Sequence, residues 1–110
     1  MKLSMLCLIA LGFVSVSATA QTFDVPPELW LSPRSGQAVR DNPQLSKAFS
    51  AYFQLAQPRV RLHHHKRDES AAQAEELRGW LIALGIESDR IELVEDSPTD
   101  QLSLDITESR

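Results

Sequence analysis

The chain has 110 residues, with 11 Lys and Arg against 15 Asp and Glu and a formal net charge of −4 at pH 7. An acidic surface of this kind disfavours nucleic acid and anionic membranes as partners. If an N-terminal segment of about 20 residues is removed, about 90 remain, which is enough for one compact domain and too few for two.

The beginning of the chain has the three parts of a secretory signal peptide. Lys2 supplies a positive charge, residues 3–16 form a short and mostly apolar core, and Ala18 and Ala20 are small residues before the cleavage point. This core is shorter than the roughly 20 residues of a membrane-spanning helix. We therefore expect a signal peptide at residues 1–20, export to the periplasm, and no transmembrane segment after cleavage. The single cysteine lies inside this core, so the mature domain must be stable without disulfides.

The first half of the mature chain predicts one strand and one helix. Residues 21–28 contain two adjacent prolines and no periodicity, which predicts an extended lead-in. The apolar residues 29–31 predict a short first strand. Asn42 before Pro43 is a helix start signal, because Asn caps well and proline already has the backbone angle of the first helical position. Apolar residues then recur at helical spacing, and Pro58 ends the helix.

Residues 59–65 predict the second strand. They alternate in polarity, which places Val60, Leu62 and His64 on one face. Since His64 would point inward, we expect it to be a hydrogen-bonded residue at the edge of the core.

A second helix follows, with Asp68 or Ser70 as its N-cap. Gly85 is placed to end this helix in the left-handed conformation. Alternating residues predict two further strands, at 90–94 and 102–107. The apolar face of the helix is predicted to consist of Ala71, Ala74, Leu77, Trp80, Leu81 and Leu84.

The order strand, helix, strand, helix, strand, strand predicts an α+β fold. Because short crossovers through a helix place the connected strands parallel, both helices should cover one face of a small mixed sheet. We therefore expect a two-layer β-α-β-α-β-β sandwich over residues 29–107. A short chain with exposed sheet edges can also form a homodimer.

The second half of the chain resembles the OmpA-like C-terminal domain of peptidoglycan-associated envelope proteins. The shared features are a strand that leads into His64 and His65, a helix that ends in an aromatic residue and leucine, and a Gly-Ile plug at Gly85. A basic residue and isoleucine then open the next strand at Arg90. The first helix also stands where the family has one, and the match is best over residues 77–91. The resemblance implies a non-catalytic protein of the cell envelope.

The resemblance also implies a ligand. Members of this family typically bind the diaminopimelate side chain of peptidoglycan, with an Asp for its ammonium group and an Arg on the second helix for its carboxylate. By position, Arg67 replaces that Asp and Gln73 replaces that Arg. Asp68 could supply the carboxylate after a shift of one residue, and Arg78 could supply the cation from the next turn. Because a zwitterionic ligand needs both charges to offset its desolvation, we expect weak peptidoglycan association or contacts with an envelope protein.

Three consecutive histidines suggest an alternative function, a periplasmic metal-binding module. On a strand, His63 and His65 would project from one face and could share a metal ion, with an oxygen ligand from Asp68 or Glu69. A metal site also needs a fixed third ligand and hydrogen bonds that orient the ligands. The ordinary interpretation is a solvated polar strand end.

The sequence gives little support for catalysis. A nucleophilic mechanism needs a serine or cysteine beside a base, and no hydrolase serine motif, mature cysteine or metal-protease motif is present. Glu95 and Asp96 are adjacent carboxylates, but we interpret them as an acidic turn before Pro98. We therefore expect no enzyme activity and no cofactor.

Two further features of the sequence concern charged and aromatic side chains. Glu75 and Glu76 are interpreted as surface partners of Arg78. Trp80 lies on the apolar stripe and is interpreted as a core residue, whereas Trp30 fits either the core or an exposed binding surface.

Overall fold

The computed structural model describes residues 20–109, so the predicted signal peptide, apart from Ala20, lies outside the described residues. The strands are β1 (Gln21–Asp24), β2 (Pro58–His64), β3 (Ile91–Glu95) and β4 (Ser103–Glu108). The α-helices are α1 (Gly36–Asp41), α2 (Pro43–Phe53) and α3 (Asp68–Ala83), and two 3-10 helices span Pro27–Leu31 and Ser88–Arg90. Within this part of the chain, no helix has the length and apolar character needed to cross a membrane.

The four strands form one mixed sheet in the order β1-β4-β2-β3. The last strand lies between the first two and is antiparallel to both, while β2 and β3 are parallel. Helix α3 makes the crossover between the two parallel strands. Helix α2 packs on β1, β4 and β2, and α3 packs on β2 and β3. The predicted two-layer α+β fold, with helices on one face of a mixed sheet, is therefore confirmed.

One hydrophobic core fills the space between the helices and the sheet. It takes Val60, Leu62, Leu104 and Ile106 from the two central strands, each at most 2% exposed. The helices contribute Leu45, Ala48, Ala74, Leu77 and Leu81. His64 is 7% exposed, and its Nδ1 donates a hydrogen bond to the His65 carbonyl over 2.8 Å. The predicted inward position of His64 is thus confirmed.

Two predicted helix ends agree with the structure. The side-chain oxygen of Asn42 accepts hydrogen bonds from the amides of Gln44 and Leu45 over 3.1 and 3.3 Å, so Asn42 caps α2. Gly85 follows α3 with a φ of 115°, which an L side chain rarely adopts.

The predicted cap of α3 is wrong. Arg67 is the N-cap residue, and its side chain makes no capping hydrogen bond. Asp68 is the first residue of the helix, and Ser70 lies inside the first turn. The buried Ser70 hydroxyl accepts a hydrogen bond from the His65 amide over 2.9 Å. Ser70 therefore ties the helix to the end of β2.

The predicted first strand at residues 29–31 is also wrong. These residues belong to the 3-10 helix Pro27–Leu31, and the first strand is Gln21–Asp24, within the segment predicted to be a lead-in. An apolar run of three residues does not distinguish a strand from a helical turn. The sheet therefore begins earlier in the chain than the sequence pattern indicates.

Candidate ligand-binding groove

A groove with a volume of about 390 Å³ opens between three segments of the chain. One wall is the 3-10 helix Pro27–Leu31, the second is the start of α3, and the third is the β3–β4 connection at residues 96–102. The volume falls in the range of known ligand sites. The side chains that define its chemistry are apolar Val25, Trp30, Leu31 and Leu102, and polar Glu69, Gln73, Asp100 and Gln101.

Trp30 is held in place by a group of contacts that we call the Arg34 clamp, formed by Trp30, Arg34, Glu76 and Trp80. Arg34 donates from Nε and Nη2 to the two carboxylate oxygens of Glu76 over 2.7 and 2.9 Å. Its guanidinium carbon lies 5.2 Å from the centre of the Trp30 ring, and Nη1 donates to the Trp30 carbonyl over 3.3 Å. The indole Nε1 of Trp80 donates to Glu76 over 3.0 Å.

The Arg34 clamp fixes the charge of Glu76 as well as its position. The hydrogen bonds from Arg34 and from Trp80 lower the pKa of Glu76 below its ordinary value, because they stabilise the ionised carboxylate. The bidentate geometry also restricts the orientation of both partners. One wall of the groove is therefore joined to α3 by a charged and directional contact.

The structure corrects the predicted partner of Glu76 and shows where the two tryptophans lie. Glu76 pairs with Arg34 rather than with Arg78, because the turn after the 3-10 helix brings Arg34 to the face of α3. Trp80 is partly buried against the core, as predicted. Trp30 is also partly buried against the core and lines the groove.

The β3–β4 connection is joined to the end of β1. The Val25 amide donates to the Leu102 carbonyl over 2.9 Å, and the side-chain amide of Gln101 donates to the Val25 carbonyl over 3.4 Å. Arg67 Nη1 also donates to Asp100 over 2.9 Å, but the two side chains are 59% and 60% exposed. An exposed ion pair of this kind contributes little stability.

The start of the same connection contacts His63. The ring nitrogens Nδ1 and Nε2 of His63 lie 2.7 Å from Asp96 and 2.9 Å from Asp105. A neutral imidazole has only one N–H group, so donation to both carboxylates requires the protonated ring. Burial lowers the pKa of His63, but the hydrogen bonds to Asp96 and Asp105 outweigh it and raise the pKa above its ordinary value.

His63 and His65 do not make the contacts that a shared metal site would require. His63 contacts Asp96 and Asp105, whereas Nδ1 of His65 accepts a hydrogen bond from the Arg67 amide over 3.2 Å. Across residues 20–109, no three His, Cys, Asp or Glu side chains are grouped so that they could hold a metal ion. The structure thus adds no third ligand to His63 and His65.

The four predicted ligand-binding residues occupy different places. Gln73 lines the groove. Arg67 is bound to Asp100 at the edge of the groove. Asp68 is the exposed first residue of α3, and neither Asp68 nor Arg78 is among the residues that line the groove. The structure does not bring Asp68 and Arg78 together as a pair of opposite charges.

Several groove residues have no signal in the sequence. Asp100 and Gln101 belong to a connection without periodicity, and no motif marks them. Leu31 belongs to the apolar residues 29–31 that predict a strand, so the sequence does not indicate that its side chain is exposed. The Arg34 clamp joins residues 42 positions apart in the chain, so local patterns cannot show it.

The groove contains carboxylates, side-chain amides and an aromatic ring. Among the described lining residues, the hydroxyl is that of Ser70, which accepts a hydrogen bond from the His65 amide. Groups of this kind can hold a ligand by hydrogen bonds, charge and apolar contact. No family model, no curated protein and no solved structure matches this chain.

Proposed function

We propose that this chain is a non-catalytic, exported domain of the cell envelope with an OmpA-like arrangement, which acts through protein contacts and associates only weakly with peptidoglycan. The observation that carries the proposal is the chemistry of the groove. Its ionisable lining side chains are the carboxylates of Glu69 and Asp100, and Gln73 stands where the resemblance calls for a guanidinium.

The fold supports the OmpA-like part of the proposal. The elements β1, α2, β2, α3, β3 and β4 follow the expected order, with α1 and two 3-10 helices in addition, and the helices lie on one face of the mixed sheet. In the resemblance, the ligand site lies between the end of the second strand and the second helix. The groove lies against the first turns of α3, which directly follow β2.

The charges of the groove argue against strong binding of a zwitterionic wall peptide. Glu69 could meet the ammonium group of such a ligand. At the edge of the groove, the cation that could meet the carboxylate of the ligand is Arg67, which is already bound to Asp100. To use Arg67, the carboxylate of the ligand would have to compete with Asp100 for the same guanidinium.

Sedimentation with purified peptidoglycan tests the peptidoglycan half of the proposal. The wild-type protein should sediment only partly and without saturation. Replacement of Gln73 by arginine adds a guanidinium inside the groove and should increase the bound fraction about three-fold or more. Saturable, tight binding by the wild-type protein would contradict the proposal.

Site-specific photo-crosslinking in living cells tests the protein-contact half. A photoreactive side chain at position 73 should give a discrete protein adduct, because Gln73 lines the groove. The control is position 107 in β4, which pairs with Arg59 on the helix-free face of the sheet. Absence of an adduct at position 73, or equal adducts at both positions, would contradict a protein contact in the groove.

A further inference from the structure

The groove presents a fixed apolar surface. Leu31 is 83% exposed, the highest value among the large apolar side chains of residues 20–109. It follows Leu29, which is 8% exposed and anchors the 3-10 helix to the core, and Trp30, which the Arg34 clamp holds. An exposed leucine on a mobile loop would be ordinary. Here the leucine is carried by a wall that is already ordered, so binding costs less conformational entropy.

The charged side chains that line the groove are both carboxylates. Glu69 and Asp100 line it, and no Lys or Arg does. Among the described residues, Glu69 takes part in no ion pair, whereas Asp100 has an exposed pair with Arg67 and also lies 3.9 Å from Nδ1 of His65. Two carboxylates at the mouth of a groove attract a cationic group and repel an anionic one.

The amides of Gln73 and Gln101 add hydrogen-bonding groups to the same surface. A side-chain amide can donate and accept at once, which suits the alternating N–H and C=O groups of an extended backbone. The groove therefore offers apolar contact, negative charge and amide hydrogen bonds within a volume of about 390 Å³.

From this combination we infer that the groove binds an extended segment of a partner protein in which a lysine or arginine stands next to a large apolar side chain. The inference rests on the proposed function and adds the chemistry of the partner. The cation would lie against Glu69 and Asp100, and the apolar side chain against Leu31 and Trp30.

A second copy of the chain does not supply such a segment from its described residues. Within residues 20–109, basic residues next to large apolar ones lie in helices and strands that are already packed, such as Arg59–Leu62 in β2. Strand β2 is paired on both sides, so this stretch cannot act as a free extended segment.

Three blocked hexapeptides test the inference. They share a Gly/Ser frame and differ at the two central positions, which are Lys-Leu, Glu-Leu or Lys-Ser. Chemical-shift titration of the purified protein should show about ten-fold tighter binding of the Lys-Leu peptide than of either other peptide. Its affinity should fall as salt is added, because the charges are partly exposed. Equal binding of the three peptides, or no binding of the Lys-Leu peptide, would overturn the inference.

Matched variants locate the binding site. The Glu69→Gln, Asp100→Asn double variant keeps the side-chain shapes and should weaken binding of the Lys-Leu peptide about ten-fold. Leu31→Ser should reduce the difference in affinity between the Lys-Leu peptide and the Lys-Ser peptide. The controls are Glu75→Gln on the exposed side of α3 and Ile82→Ser, at a side chain that is 37% exposed. All these positions are exposed, so the variants should fold, and an unchanged affinity in the double variant would refute the assignment.

The outcomes separate this inference from the proposed function. If position 73 gives its adduct in cells but the protein does not discriminate the three peptides, the partner chemistry is wrong and the protein-contact function stands. If position 73 gives no adduct and no peptide binds, both are wrong.

Discussion

The two main walls of the groove are held by different kinds of contact. The wall of the Pro27–Leu31 helix is held by the Arg34 clamp, in which the Arg34 and Glu76 side chains are 25% and 36% exposed. The wall of the β3–β4 connection is held by the buried Leu102 and by hydrogen bonds to Val25. Its charged contacts are the exposed pair between Arg67 and Asp100 and the contact of His63 with Asp96. Arg34 remains charged at any ordinary pH, whereas a histidine titrates near neutrality.

This difference indicates which wall can adapt. The Arg34 clamp offers one bidentate geometry, so the aromatic and apolar wall should be the same under most conditions. The β3–β4 connection carries the carboxylate and amide of Asp100 and Gln101, and its contacts respond to salt and to pH. We expect the charged side of the groove to adjust to a ligand and the apolar side to be pre-formed.

Leu102→Ala should have the largest effect on this arrangement. Leu102 is 2% exposed and belongs to the core as well as to the groove, so its truncation should cost about 2–5 kcal/mol of unfolding free energy. Urea denaturation measures this loss. The matched control is Leu31→Ala, whose side chain is 83% exposed and should change stability by no more than about 0.5 kcal/mol. Similar losses in the two variants would show that Leu102 does not anchor the connection.

Glu76→Gln should have the next largest effect, because it removes the charge at the centre of the Arg34 clamp. Arg34 and Trp80 would lose a shared charged acceptor, and Tm should fall by roughly 5 °C. Thermal denaturation measures the shift, and tryptophan fluorescence should change as the two indoles lose their fixed surroundings. Glu75→Gln, at the neighbouring exposed position, should leave both signals as they are. A Tm equal to that of the wild type would mean that the clamp does not stabilise this wall.

The contribution of His63 should depend on pH. The pKa of His63 is raised in the folded protein, so its stabilising effect is fully present below the unfolded value of about 6.5 and is lost as pH rises through the folded value. Thermal denaturation of the wild type and His63→Gln from about pH 5 to about pH 9 should show the largest difference at the acidic end. The control is Arg61→Gln, two residues earlier on β2, where the side chain pairs with Glu92 over 3.4 Å and contains no imidazole. A difference that grows with pH would contradict the bridge to Asp96 and Asp105.

Arg67→Gln should have the smallest effect. The pair with Asp100 is exposed, so its loss should cost less than about 1 kcal/mol at low salt and nothing measurable at high salt. Denaturation at ionic strengths of about 0.05 M and 0.5 M measures the difference. A loss that is the same at both salt concentrations would show that Arg67 supports the connection through packing rather than through charge.

Most elements of the fold could be predicted from local patterns. The helices α2 and α3 and the strands β2, β3 and β4 lie close to their predicted positions, because each buries one face and so shows a regular apolar period. β1 could not be predicted in the same way. It is an edge strand of four residues whose burial pattern contains only one partly buried residue, which is too short for a period to emerge.

The candidate site was less accessible to sequence reasoning than the fold. Gln73 is indicated by the resemblance, through its position on the second helix. In the sequence, His63 stands out as the first of three consecutive histidines. In the structure, it contacts Asp96 and Asp105, which are 33 and 42 positions away. Hydrogen bonds between distant segments produce no periodic pattern in the sequence. The contacts of His63 with Asp96 and Asp105 and the Arg34 clamp therefore could not be predicted.

The sequence by itself determined the fold class, the inward position of His64, the Asn42 cap and the left-handed Gly85, because these depend on the burial period of each element or on the chemistry of adjacent residues. The tertiary structure decided the place of β1 in the sheet, the partner of Glu76 and the shape and charge of the groove. These features depend on which segments meet in space, and that meeting is set by the packing of the whole core.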